Sequence, residues 1–293
     1  MTVAVASGKG GTGKTTVAVS LALVSGSQYL DCDVEEPNGH IFLKPDIRRV
    51  EPVNKLVPQV DLERCTFCHR CSQACAFHAL AVLPKQVLVF PELCHSCGMC
   101  EWLCPEGAIS ERELPIGVVE TGDSLDVELA PGDDDAQPDY VVIPFVQGRL
   151  NIGEPMAVPV IRAVKREIRT DRDAILDVPP GTSCPVVQSV LGCDFCLLVT
   201  EPTPFGLHDL KLAVETVRKL GVRFGVVLNQ ADVGDDETER YCREENIEVL
   251  MRIPYDRAIA EAYSSGVPAI KARPEYLTAF KQLSEEIRAR AEK

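Results

Sequence analysis

Short runs rich in apolar residues, separated by amphipathic stretches, make up most of the chain. Thr2–Ser7, Gln28–Cys32, Ala174–Val178, Phe195–Thr200, Phe224–Asn229 and Glu248–Ile253 read as strands buried on both faces. Between them the period changes. In Leu207–Leu220, for example, Leu210, Ala213, Val217 and Leu220 recur at three and four residues, which places them on one face of a helix. Strands alternating with helices predict an α/β fold, a doubly wound and mostly parallel sheet with helices on both sides.

From about Leu56 to Arg112 this rhythm stops. The segment has little apolar periodicity and holds two similar cysteine runs 29 residues apart, so it predicts a small insertion whose core is not built from side chains alone. The expected organisation is therefore 1–55 and 113–293 as one domain, with 56–112 inserted. Glu113–Gly148 contains no Lys or Arg and nine acidic residues, with a turn at Pro131-Gly132-Asp133-Asp134-Asp135. It reads as a strand pair with a solvated acidic loop rather than as a docking surface.

Composition narrows the function classes. At roughly 150 residues per domain, 293 residues hold about two. The net charge of −14 and an aromatic content of 5%, with Trp102 the only tryptophan, argue against a nucleic-acid binder. No apolar run approaches the roughly 20 residues of a membrane span, and no signal peptide opens the chain, so a cytoplasmic protein is expected. Eight of the thirteen cysteines lie between positions 65 and 104, and in a reducing compartment such a cluster points to metal binding rather than disulfides.

Gly8-Lys9-Gly10-Gly11-Thr12-Gly13-Lys14-Thr15-Thr16 follows the first strand and precedes a helix, the setting a phosphate-binding P-loop requires. Glycines let backbone N–H groups turn inward around a β-phosphate, and the helix N-terminus adds its positive dipole end. Lys14 is placed to bridge the β- and γ-phosphates and the Thr15 hydroxyl to ligate Mg²⁺. The cysteines form Cys65-x2-Cys68-x2-Cys71-x3-Cys75 and Cys94-x2-Cys97-x2-Cys100-x3-Cys104-Pro105. In this doubled run three close thiolates serve one [4Fe–4S] cluster and the fourth serves the other. Cys65, Cys68, Cys71 and Cys104 are expected to hold one cluster, and Cys94, Cys97, Cys100 and Cys75 the second. Ala76 stands where the pattern prefers proline, which weakens a turn and not a ligand. Two zinc sites fit the doubled run poorly. With eight thiolates supplied, His69, His78 and His95 are expected at the surface or in hydrogen bonds. Cys193 and Cys196 form a C-x-x-C, but Cys196 opens an apolar strand, so packing is expected there. Cys32, Cys184 and Cys242 are isolated and also expected to pack.

The sequence K-G-G-x-G-K-T resembles the deviant P-loop of the MinD/ParA ATPases, and the chain as a whole resembles members carrying an inserted bacterial-type ferredoxin domain. Asp31-Cys32-Asp33-Val34-Glu35-Glu36-Pro37-Asn38 resembles the family's switch I, and Ala174-Ile175-Leu176-Asp177-Val178-Pro179-Pro180-Gly181-Thr182 its Walker B strand and switch II. The resemblance implies that Lys9 reaches a partner subunit's nucleotide, that Asp33 holds the attacking water or acts as its base, that Asp177 lies near Mg²⁺, and that Asn229 contacts adenine. Gln230-Ala231-Asp232 lacks the lysine of the guanine-selecting motif, which favours ATP.

The implied protein is a Mg²⁺-dependent ATPase that switches as an ATP-bound homodimer and carries two [4Fe–4S] clusters for electron transfer or redox sensing. A redox partner protein, or a related ATPase as heterodimer, fits the same resemblance. Alternatives within the superfamily are a cluster carrier like the Mrp-type and Nbp35-type proteins, and a MinD-like spatial regulator. The last would need a basic membrane helix. The C-terminal stripe of Tyr276, Phe280, Leu283 and Ile287 is diluted by Glu285, Glu286 and Glu292, so it is expected in the core.

Overall fold

A computed structural model describes residues 1–125, 127–130 and 139–292. The strands are β1 (Thr2–Ala6), β2 (Gln28–Asp31), β3 (Asp46–Val60), β4 (Leu80–Leu83), β5 (Gln86–Val89), β6 (Ile109–Asp123), β7 (Val127–Ala130), β8 (Asp139–Val141), β9 (Pro144–Leu150), β10 (Ala174–Asp177), β11 (Phe195–Thr200), β12 (Arg223–Asn229) and β13 (Val249–Ile253). Nine of them form one sheet in the order β13-β12-β11-β1-β10-β2-β9-β6-β3. From β13 to β9 all pairs are parallel, while β6 runs antiparallel to β9 and β3 antiparallel to β6. All six strands expected from the apolar runs are present in this sheet. The helix expected over Leu207–Leu220 begins earlier, at Pro204, where Thr203 accepts from the Gly206 N–H and caps it.

The sheet separates two cores. Leu30, Leu176, Leu198 and Val146 pack on one face under the helices Val158–Arg166 and Pro204–Leu220. On the other, Val5, Tyr29, Ile175, Leu197 and Phe145 pack against helix α1 (Lys14–Ser25) and the helix Tyr276–Ala291. Phe280, Leu283 and Ile287 are buried there, so the C-terminal stripe is core, as its acidic flanks suggest. Covering both faces explains why the central strands lack alternation.

β3 and β6 are the least expected feature. Each is 15 residues long, paired from Asp46↔Asp123 to Val60↔Ile109, a ribbon of about 50 Å. Only its base, Gly117–Asp123, joins the sheet by pairing with β9; the rest projects and carries residues 61–108 at its tip. The lines drawn at 55/56 and 112/113 both fall inside these strands. Pro52 and Pro58 hide β3 from sequence reading, yet an edge strand tolerates them because its outer N–H groups need no partner. Near the base Lys55 Nζ meets Glu154 Oε1 at 2.7 Å, with side-chain exposures of 1% and 10%. Within Glu113–Gly148 the expected strand pair is β7 with β8, which flank the 131–135 segment, while β6 pairs with β9; the turn itself lies outside the described residues. Among the described residues no helix is long and apolar enough to cross a membrane.

Candidate functional site

The carboxyl ends of β1, β2, β10 and β12 open onto one cleft of about 370 Å³, the edge where doubly wound sheets bind ligands. Gly10, Gly11, Gly13, Lys14, Thr15 and Asp33 line it, with Asn229 and Thr16 alongside. Gly11 and Gly13 take φ of 81° and 88°, a left-handed turn that strains any other residue. A Cβ built on Gly10 or Gly11 would meet nothing within 4 Å, so these exposed glycines face open space. A Cβ on Gly13 would lie 2.4 Å from Asn229 Nδ2, which donates to the Thr12 carbonyl at 2.9 Å. The Thr12 hydroxyl is buried beside this loop without a hydrogen-bond partner. An open glycine loop at the N-terminus of helix α1 and an orphaned hydroxyl fit an anionic ligand.

Charge around Lys14 is dense. Its ammonium donates to Asp177 Oδ1 at 2.6 Å and lies 3.6 Å from Asp33 Oδ2. Burial alone would lower the Lys14 pKa, but Asp177 and Asp33 outweigh it and hold the group above its ordinary value. Asp33 itself is pushed up to about 6, chiefly by burial, with Lys14 opposing. Asp31 is wholly buried and accepts N–H bonds from Asp33, Asn38 and Gly39 at 3.0–3.1 Å, so it shapes the loop that presents Asp33. Burial and neighbouring Asp177 raise its pKa well above the usual carboxylate range. Lys9 turns to its own chain: Nζ lies 3.1 Å from Glu201 Oε2, and the other oxygen of Glu201 accepts from Gln230.

At the ribbon tip the two cysteine runs fold alike. Left-handed residues recur 29 positions apart: Phe67 with Ser96, His69 with Gly98, and His78 with Gly107. Ala79 N–H donates to Cys75 Sγ at 3.3 Å, and Ala108 N–H to Cys104 Sγ at 3.2 Å. Cys65, Cys68, Cys71 and Cys104 line one pocket; Cys75, Cys94, Cys97 and Cys100 line another. These are the two crossed sets the spacing predicts. Among the described residues no three or more His, Cys, Asp or Glu side chains are gathered closely enough to hold a single metal ion. His95 stacks on Phe77 with centroids 3.6 Å apart. The second pocket leans on the ribbon, where Ser96 Oγ donates to the Leu56 carbonyl at 2.7 Å. Elsewhere Cys32, Cys193, Cys196 and Cys242 are buried as expected, whereas Cys184 is exposed, because the helix Cys184–Val190 begins there and Ser183 precedes it at the cap.

Residues 3–269 match the family described as the CobQ/CobB/MinD/ParA nucleotide binding domain. The chain belongs to this family. An uncharacterized protein of Methanocaldococcus jannaschii is 29% identical over 92% of each chain. The iron-sulfur cluster carrier protein of the same organism is 26% identical over 40% of this chain and 48% of its own. The crystal structure of the Pyrococcus furiosus cell division ATPase MinD, at 21% identity, superposes with a TM-score of 0.55 over 98% of both chains, so this CobQ/CobB/MinD/ParA-family member has the MinD fold.

Sequence reading passed over Tyr29, whose hydroxyl donates to Asp177 Oδ2 at 3.0 Å, and Glu201, the partner of Lys9. A tyrosine in a buried run is itself a signal, since its hydroxyl must find a partner there. Nothing comparable marks Glu201, which only the fold brings to the P-loop.

Proposed function

We propose that the protein is a Mg²⁺-dependent ATPase whose nucleotide-driven dimer switching is coupled, through the β3–β6 ribbon, to two [4Fe–4S] clusters held in a ferredoxin-like lobe. The observation that carries this reading is the gathering of the two crossed thiol sets into two separate pockets at the end of a ribbon continuous with the nucleotide sheet. Pockets each lined by four thiols, three from one run and the fourth from the other, suit a [4Fe–4S] cluster. Such clusters supply one-electron chemistry when bound.

In this reading Lys14 leaves Asp177 for the β- and γ-phosphates, Thr15 and Asp177 serve Mg²⁺, and Asp33 orients the attacking water. Gly8 through Thr16 wrap the phosphates, Asn229 holds the loop and meets adenine, and Lys9 crosses to the partner's nucleotide. A mechanical connection supports the coupling. The Val34 carbonyl, next to Asp33, accepts from Leu150 of β9, and Asn151 N–H donates to Ile116 of β6. Movement of that loop therefore bears directly on the ribbon. The test is the low-temperature EPR spectrum of anaerobically reduced protein with and without Mg·ATP. A nucleotide-dependent change in the cluster signal is expected, and identical spectra would sever the coupling. The similarity to the M. jannaschii carrier motivates a second reading, delivery of clusters. Rapid ATP-dependent transfer to an apo-acceptor would favour it.

A further inference from the structure

We propose that Tyr29 is a positioning residue that holds one oxygen of the Asp177 carboxylate so that the other is free for the metal side of the cleft. This rests on the reading of Lys14, Thr15 and Asp177 given above. Tyr29 is wholly buried on β2, and its ring stacks on Phe145 with centroids 5.8 Å apart. An apolar side chain would satisfy such a position. The hydroxyl is what demands a partner, and it donates to Asp177 Oδ2 at 3.0 Å.

Asp177 is 1% exposed, and its two oxygens are divided between two donors, Lys14 at Oδ1 and Tyr29 at Oδ2. When Lys14 turns to phosphate, Tyr29 is the remaining side-chain donor to this carboxylate. A buried carboxylate stripped of both would be free to rotate and costly to keep ionised. The ring has little freedom to leave. The backbone of Gly39 passes so close that an added Cβ would lie 2.4 Å from the Tyr29 oxygen and 2.3 Å from Cε1. Gly39 in turn donates to Asp31, so the end of the Asp33 loop clamps the ring from above.

Tyr29→Phe keeps the stack and removes only the hydroxyl. ADP affinity is measured by calorimetry in EDTA and across a Mg²⁺ series, and thermal stability is measured for Tyr29→Phe, Asp177→Ala and the double variant. The Mg²⁺ concentration for half-maximal tightening should rise about tenfold, the order expected for losing a hydrogen bond to a charged group, with the weakening confined to the metal-dependent part. In stability the two changes should be strongly non-additive, Tyr29→Phe adding little once Asp177 is Ala and the hydroxyl has lost its acceptor. An unchanged Mg²⁺ requirement, or additive stabilities, would leave Tyr29 a packing residue and overturn the inference alone. A wild-type protein whose ADP affinity ignores Mg²⁺ would overturn the underlying site reading with it.

Discussion

Replacing Lys55 by Met should destabilise the protein more than any change on the exposed part of the ribbon. The Lys55–Glu154 pair is 2.7 Å long, and its side chains are 1% and 10% exposed, so solvent screens it little. Met fills nearly the same volume but leaves the Glu154 carboxylate buried with only the Met156 N–H as a polar contact. Stranding one partner of a buried pair costs about 3–5 kcal/mol. With an unfolding entropy of about 2.1 cal/mol/K per residue, 293 residues give roughly 0.6 kcal/mol/K, so the expected fall in Tm is about 5–8 °C. Neutralising Glu154 as well, in Lys55→Met/Glu154→Gln, should recover most of the loss, since the uncompensated charge is gone while the acceptor for Met156 is kept. Differential scanning calorimetry of the two variants reads this directly. A drop below about 2 °C for the single change, or no recovery in the double, would mean that the pair is solvated and does not pin the ribbon to the sheet.

Four further expectations follow from the cleft. If, as proposed, an ionised Asp33 orients the attacking water, ATP hydrolysis should fall as pH drops through about 6, the value to which burial raises this carboxyl. In that same group the folded state holds its proton more tightly than the unfolded chain, so its contribution to stability should decline as pH rises from about 4 to about 6; Asp33→Asn should flatten both profiles. Lys9 is a third exposed, and its pair with Glu201 is therefore worth under about 1 kcal/mol, weak enough to release. Lys9→Ala should bind ATP as a monomer yet lose ATP-induced dimerisation in sedimentation velocity; equal dimer populations would make it a loop residue only. Glu201→Gln should instead lower the ATP concentration needed to dimerise, and no shift would mean that the contact does not restrain Lys9.

The α/β core was legible because each of its strands is a contiguous run that needs no distant partner to be recognised. Val3-Ala4-Val5 and Leu197-Leu198-Val199 are buried whichever way they face. The P-loop and the cysteine runs were legible for another reason: their chemistry depends on local spacing, and a 29-residue offset in sequence becomes the same offset in left-handed backbone. The ribbon was not legible. Its 14 residue pairs join positions up to 77 apart, from Asp46 to Asp123, and its prolines and charges make sense only once β3 is known to be an edge. Buried charges escaped for the same cause. Lys55 and Glu154 read as surface residues until the fold removes water from both.

The claim that two thiol pockets each hold a [4Fe–4S] cluster is tested most directly by iron and acid-labile sulfide analysis of protein purified without oxygen. About eight iron and eight sulfide per chain are expected from two four-iron clusters. Iron near zero with stoichiometric zinc would contradict the account.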